Sequence, residues 1–178
     1  DNGKWGDVIH NQGVTWLDSW KERCSGTTKY VFLAPTSQIK GESDMAKYEK
    51  ARVLSMSIDK IVNDYTKKMK SKDTKDRQLG TILYLIDHHA FRVGNEKGED
   101  DTDTVGVSTL KVSNVEPIDD NKAIFDFLGK DSIRYFNTIQ LDDQAHKNIA
   151  VFRKGKKSGD QLFDKVSSKD INEYLKSF

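Results

Sequence analysis

The chain has 178 residues, enough for a domain with a hydrophobic core, and 35% hydrophobic against 32% charged residues is too apolar a composition for wholesale disorder. Twenty-nine basic and 28 acidic residues leave a net charge of +1, so a nucleic-acid partner can be argued only from local clusters of charge. The single cysteine, Cys24, excludes an internal disulfide and a cysteine-rich metal site, and no apolar run is long enough to span a bilayer.

Residues 1–42 read as a lead-in segment. The chain starts at Asp1 without a methionine or a signal-peptide pattern, so we expect an internal piece of a soluble, intracellular protein. The apolar run Lys29–Leu33, followed by Pro35, predicts a short strand. From Ser43 or Asp44 to about Met69, apolar residues recur every three or four positions, which predicts one long amphipathic helix.

A second, more apolar helix is predicted from Asp73, a suitable N-cap, to about Gly94 and Asn95. Arg92 would lie in its last turn. The polar, acidic residues 94–103 then predict a loop.

Three strand-like stretches follow, at Val105–Val112, Ala123–Leu128 and Ser132–Ile139, with turn residues at Pro117–Asn121 and Gly129–Asp131. Helices at Gln144–Phe152 and Ser167–Phe178 would close the domain. We therefore predict an α+β fold for residues 43–178, a mostly helical subdomain with a small three-stranded antiparallel sheet.

Two basic residues are candidates for phosphate chemistry. An arginine in a last helical turn ordinarily complements the helix dipole, but the planar guanidinium of Arg92 could also hold two oxygens of one phosphate. A lysine in a turn is ordinarily solvated, but Lys130 at the tip of a two-stranded ribbon could enter a DNA groove and reach the backbone.

These residues lie within a wider resemblance. Three blocks in order, Phe91–Lys97, Asp103–Gly106 and Phe125–Tyr135, closely resemble the catalytic core of the eukaryotic type IB DNA topoisomerases. The similarity extends to both ends of the chain, through Val14–Leu17, Lys29–Val31, Ile39–Glu42, Lys147–Asn148 and Gln161–Asp164. The resemblance implies a helical core subdomain, related in outline to the tyrosine recombinases, that forms part of a clamp around duplex DNA.

The resemblance also implies roles for individual residues. Arg92 resembles the first catalytic arginine, which stabilises the charge on the scissile phosphate. Lys130 resembles the hairpin lysine that protonates the departing 5′-oxygen, for which an ammonium is suited and a guanidinium is not. Further positions resemble DNA contacts of the family, namely Lys40, Asn95, Lys97, Thr104 and Asp131, the last also where camptothecin-type inhibitors are held at the nick.

Some positions depart from the family pattern. Phe91 stands where leucine is common, the acidic loop before Thr104 is slightly short, and Val107-Ser108 replaces a cysteine-rich pair. The shortened loop leaves contacts between Gly98 and Thr102 unassigned.

The family's second arginine, histidine and nucleophilic tyrosine lie beyond Phe178 in the family order, so we expect this chain alone not to cleave DNA. The run Ser168–Tyr174 superficially resembles the segment around that tyrosine, but extra residues interrupt it. We therefore expect Tyr174 to be a packing or surface residue.

No metal site is predicted. His88 and His89 are adjacent and face different sides of a helix, so they cannot chelate one ion as residues four apart would. The acidic run 99–103 lacks the spacing of a calcium-binding loop. The lysine-rich stretches 67–72 and 153–157 would be solvated surfaces or, on a DNA clamp, phosphate contacts.

The main hypothesis is therefore a nuclear enzyme, acting without a cofactor, that relaxes supercoiled duplex DNA through a transient 3′-phosphotyrosine, completed by its remaining C-terminal part and not bound to membranes. Two alternatives stay open, a non-catalytic module that binds duplex DNA and a tyrosine recombinase. The enzyme hypothesis requires that Arg92 and Lys130 converge on one phosphorus atom.

Overall fold

The computed structural model describes residues 6–8, 16–94 and 105–178, with only the backbone of Asp131. By its internal contacts the chain divides into two compact units, residues 1–55 and 56–178. The predicted boundary between residues 42 and 43 stays a prediction.

The first unit holds a hairpin and a helix. Strands β1 (Trp16–Lys21) and β2 (Thr28–Phe32) pair antiparallel, and β2 covers the strand predicted there. Helix α1 (Gln38–Ser55) buries none of its described side chains. Its surface is stabilised by local ion pairs such as Arg52 with Glu49, at 2.6 Å.

The second unit begins with α2 (Ile58–Met69), which buries Ile61, Tyr65 and Met69 on one face. The single helix predicted from residue 43 or 44 to 69 was therefore wrong, because residues 56 and 57 form a turn between two helices. At the end of α1 the hydroxyl of Ser55 donates to the carbonyl of Arg52 at 2.7 Å, a local bond that competes with helix continuation.

Helix α3 (Thr74–His89) is the centre of the core. Asp73 caps it as predicted, its carboxylate accepting from the backbone N–H of Asp76 at 2.8 Å. All residues from Gln78 to Leu85 are buried. The buried polar members have partners, since Gln78 donates to Asp164 at 2.9 Å and Thr81 accepts from Asn148 at 3.0 Å.

A three-stranded antiparallel sheet packs on this helical core in the order β3 (Val115–Ile118), β4 (Lys122–Leu128) and β5 (Arg134–Gln140). Along β4, Ala123 and Phe125 are fully buried at alternate positions, the period expected of a sheet with one face on the core. Helices α4 (Asp143–Arg153) and α5 (Ser168–Lys176) complete the unit, close to their predicted positions. The predicted α+β class is confirmed.

The predicted first strand, Val105–Val112, was wrong. Two short 3-10 turns, Val107–Thr109 and Val112–Asn114, occupy this stretch, and the strand begins at Val115, partly within the predicted turn. The buried apolar residues Val107, Leu110, Val112 and Val115 follow one another at mixed spacings of two and three. These spacings differ from the two-residue period of a strand, and the backbone of residues 107–112 bonds to residues 92, 93 and 160 instead of to a neighbouring strand.

Candidate active site

A cleft of about 340 Å³ opens at one end of the second unit, where the segment after α3, residues 105–107 and the β4–β5 hairpin come together. Both candidate catalytic residues, Arg92 and Lys130, line it. Its remaining walls are largely aromatic and aliphatic, with Phe91, Phe127, Ile133 and Tyr135 among them.

Arg92 does not lie in a helix. The prediction that it occupies a last helical turn was wrong, because α3 ends at His89 and Ala90 adopts a left-handed conformation with φ 53°. This reversal turns Phe91 into the core, where its ring meets those of Phe125, Phe127 and Tyr135 at centroid distances of 5.1, 5.7 and 5.3 Å. The buried ring fixes the backbone of Arg92, whose side chain is exposed.

The Arg92 segment is also bonded to residues 105–108. The N–H of Val107 donates to the carbonyl of Arg92 at 2.8 Å, and the N–H and hydroxyl of Ser108 donate to the carbonyl of Val93 at 2.9 and 2.8 Å. Two glycines make this approach possible. A side-chain carbon on Gly94, whose φ is +86°, would lie 2.8 Å from the Cα of Gly106, and one on Gly106 would fall onto the backbone of Gly94.

Lys130 lies at the tip of the β4–β5 hairpin, as predicted. A 3-10 turn over Lys130–Ser132 forms the tip, and the N–H of Gly129 closes it by donating to the carbonyl of Ile133 at 2.8 Å. The pairing of Leu128 with Arg134 anchors the turn to the sheet. The ammonium of Lys130 is thus carried on a hydrogen-bonded ribbon beside the cleft.

The cations at the cleft differ in their partners. Within the described part of the chain, the side chains of Arg92 and Lys130 form no hydrogen bond or ion pair. Arg134, by contrast, is held by two hydrogen bonds to Asp126, at 2.8 and 2.7 Å. These bonds hold the pKa of the Asp126 carboxyl below its usual value. Two unneutralised cations therefore remain available at this cleft for an anionic ligand.

The described structure does not test the other predicted DNA contacts. Asn95, Lys97 and Thr104 lie outside the described residues, and so do the acidic run 99–103 and the shortened loop. Of Asp131 only the backbone is described. Lys40 belongs to the first unit, where its ammonium pairs with Asp44.

Several side chains considered in the sequence have structural partners. The hydroxyl of Tyr174 donates to Asp64 at 2.7 Å, and burial followed by this carboxylate raises the pKa of that hydroxyl. In the basic stretches, Lys68 pairs with Asp76 at 2.8 Å and Arg153 donates to the carbonyls of Val112 and Val115. The residues described here contain no cluster of three or more His, Cys, Asp or Glu able to hold a metal ion.

Sequence reasoning missed two features of the site. The aromatic cluster around Phe91 was invisible because its members come from three separated segments. His89, considered only as a metal ligand, lines the cleft, and its Nε2 is buried without a hydrogen-bond partner among the described residues. No local signal marked it, because the sequence placed the end of this helix at Gly94 and Asn95.

Comparison with known proteins identifies the family of the chain. Residues 36–178 match the sequence family described as the catalytic core of eukaryotic DNA topoisomerase I, and residues 1–33 match the family described as its DNA binding fragment. Among similar proteins, DNA topoisomerase 1 of Schizosaccharomyces pombe is 49% identical over 98% of this chain. DNA topoisomerase 1 alpha of Arabidopsis thaliana is 49% identical and DNA topoisomerase 1 of Homo sapiens 46%, each over 97% of the chain.

The fold and the matched segments define the class, the catalytic core of a DNA topoisomerase. The chain belongs to the eukaryotic DNA topoisomerase I family. It spans 22% of the length of the Schizosaccharomyces pombe relative and 19% of the Arabidopsis thaliana one. Among the helices described, none combines the length and apolar character needed to cross a membrane.

Proposed function

We propose that this chain is part of a type IB topoisomerase that relaxes supercoiled duplex DNA in the nucleus by cutting and resealing one strand. The observation that carries the proposal is the presence on the same cleft of two cations, Arg92 and Lys130, that have no partner among the described residues. A tyrosine supplied by the remaining C-terminal part would attack the phosphodiester, forming a 3′-phosphotyrosine and releasing a 5′-hydroxyl.

Arg92 would stabilise the transition state. Its guanidinium donates in a fixed plane and matches two non-bridging oxygens, which gain negative charge as the phosphorus is attacked. Catalysis of this kind needs donors that are already in place. The buried Phe91 ring and the bonds to Val107 and Ser108 hold the backbone of Arg92, which supports this role.

Lys130 would act as the general acid. When the phosphorus–oxygen bond breaks, the departing 5′-oxygen needs a proton, which an ammonium gives up far more readily than a guanidinium does. The β4–β5 hairpin would carry this ammonium into a DNA groove. Further DNA contacts would be made by Lys40, Asn95, Lys97, Thr104 and Asp131. Camptothecin-type inhibitors would be held near Asp131, next to the nick.

The experiment measures relaxation of supercoiled plasmid by full-length enzyme containing this chain. Arg92→Ala should lower the relaxation rate by about 10²–10⁴-fold, because one preorganised donor is lost from the transition state, whereas DNA affinity should change little. Arg92→Lys should restore only part of the rate, since an ammonium cannot form the fork. The matched control is Arg52→Ala, which removes an exposed arginine paired with Glu49 in the other unit.

A second arm tests the proton transfer. The Lys130→Ala enzyme should cleave ordinary DNA slowly. It should cleave rapidly a substrate in which sulfur replaces the bridging 5′-oxygen, because a thiolate leaves without protonation. Lys147→Ala, which removes an exposed lysine paired with Asp143, should behave as the parent on both substrates. Unimpaired relaxation by Arg92→Ala, or no sulfur rescue for Lys130→Ala, would overturn the respective role.

A further inference from the structure

His89 differs from the other polar groups at the cleft. It is the last residue of α3, directly before the left-handed Ala90, and it lines the cleft with Arg92 and Lys130. Its Nε2 is buried and has no hydrogen-bond partner among the described residues. A buried, unpartnered ring nitrogen is costly, and it becomes far more so when it carries a proton and a charge.

The ring is held by aromatic neighbours. Its centroid lies 5.7 Å from that of Tyr84, in an edge-on arrangement, and 6.2 Å from that of Phe91. Phe91 is the residue whose burial fixes the backbone of Arg92. The packing chain from the end of α3 to the candidate catalytic arginine therefore runs through His89.

The charges around His89 disfavour its protonation. On its own helix it faces Tyr84 and His88, the latter at a centroid distance of 6.5 Å. The described titratable and charged side chains that line the cleft from the other elements are Arg92, Lys130, Arg134 and Tyr135. None of these lining side chains is a carboxylate, and Arg134 is already paired with Asp126, so the described lining of the cleft offers an imidazolium no counter-ion. Burial, and then His88, lower the pKa of His89 below the ordinary 6.5.

We propose that neutral His89 is a positioning residue for Arg92, and that its protonation displaces the Phe91–Arg92 turn from the cleft. The inference rests on the proposed function of Arg92 and extends it. It predicts that relaxation declines on the acid side because His89 gains a proton.

The adjacent histidine provides a matched control. His88 is about half exposed, stacks on Tyr84 at 4.4 Å, does not line the cleft, and has its Nδ1 3.5 Å from the Asp87 carboxylate. His88→Phe should keep the acid-side decline of relaxation, because His89 is still present, and any shift of its midpoint should be upward, since His88 lowers the pKa of His89.

The test combines activity with a measurement that does not need it. In full-length enzyme, His89→Phe keeps an aromatic ring but cannot be protonated, so the ratio of the relaxation rate at about pH 5.5 to that at about pH 7.5 should rise by about twofold or more over the parent. His89→Lys, a fixed cation, should relax DNA slowly at both values. A parent-like ratio in His89→Phe would overturn the proposal.

Nuclear magnetic resonance of the 178-residue chain provides the independent readout. The His89 ring should titrate below pH 6.5, and the Arg92 side-chain N–H resonance should move with the same midpoint in the parent but not in His89→Phe. The proposal would be refuted, even if Arg92 proves catalytic, by a titration midpoint of His89 at or above pH 6.5. It would equally be refuted by an Arg92 N–H resonance that does not change as His89 titrates. If the His89 and Arg92 resonances titrate with one midpoint but the Arg92→Ala enzyme is fully active, the proposed function of Arg92 is rejected and the positioning of Arg92 by His89 is retained.

Discussion

At the scale of single residues, the position of Arg92 depends on two small neighbours. Gly94 and Gly106 allow the segment after α3 and residues 105–108 to lie backbone against backbone. Gly94 is needed for its positive φ as well as its size, whereas Gly106, with φ −113°, is needed only because no side chain fits. The two positions therefore separate backbone strain from crowding.

Gly106→Ala tests the crowding. Its new methyl group would overlap the Gly94 backbone, which cannot yield as a flexible side chain would, so the free energy of unfolding should fall by about 2 kcal/mol. Urea unfolding followed by circular dichroism measures the change. Gly159→Ala is the control, because an added carbon there meets nothing within 4 Å, and it should stay within about 0.5 kcal/mol of the parent. Equal stability of the two variants would contradict the crowding argument.

At the scale of elements, α2 and α3 are held together by a close approach at Gly80. A side-chain carbon there would lie 2.7 Å from both the N of Met69 and the carbonyl oxygen of Tyr65. The carbonyl of Met69 also accepts from the buried amide of Asn148 at 2.9 Å, which ties α4 to the same point. Gly80 thus permits three helices to share one junction.

Gly80→Ala should destabilise the second unit although alanine is the better helix former. Propensity favours alanine by about 1 kcal/mol, but pushing α2 away from α3 should cost more, for a net loss of about 1–3 kcal/mol. Gly41→Ala isolates the propensity, because Gly41 lies within α1 with open space around it, and it should not lower stability. Urea unfolding of both variants measures the difference, and a gain in Gly80→Ala would refute the close-packing account.

The elements also show what the sequence could predict. The Asp73 cap, the Lys130 hairpin tip and the closing helices follow from local patterns, and the structure has them in place. The strand predicted at 105–112 fails because its backbone pairs with residues 92, 93 and 160, which lie far away in the chain. Arg92 was identified by resemblance but placed in a helix, since nothing local announces a left-handed alanine at residue 90. The sequence alone could not show that Arg92 and Lys130 line one cleft, because the two residues come together only in the folded chain.

At the scale of the whole molecule, the net charge is close to zero, but the charged side chains differ in whether they have ion-pair partners. Several described cations near the core have carboxylate partners, as Lys75 does with Asp170 at 2.6 Å and Lys156 with Asp164. Those at the cleft tip, Arg92 and Lys130, have none in the described structure. Some carboxylates thus stabilise the fold through ion pairs, and among the described residues Arg92 and Lys130 keep their charge open to a ligand.

The paired carboxylates predict loss of stability in acid. Hydrogen bonds from Lys75, then from Ser167, hold the pKa of Asp170 well below its usual range. Burial works to raise the pKa of Asp164, but hydrogen bonds from Lys156 and Gln78 outweigh it, and the net direction is also downward. Such a carboxyl stabilises the folded state above its unfolded pKa of about 3.9, and this stabilisation is lost as the pH falls towards the lower folded value.

The free energy of unfolding should therefore fall between about pH 6 and about pH 3. Asp170→Asn should reduce that fall by about 1 kcal/mol, because solvent screens the ion pair with the exposed Lys75 and keeps its contribution small. Urea titrations at both pH values measure it. Glu173→Gln is the control, because Glu173 is exposed and lies 3.8 Å from Lys169, so its removal should leave the fall unchanged. If Asp170→Asn loses stability in acid as steeply as the parent does, Asp170 is not one of the groups whose protonation loosens the contact between α5 and α3.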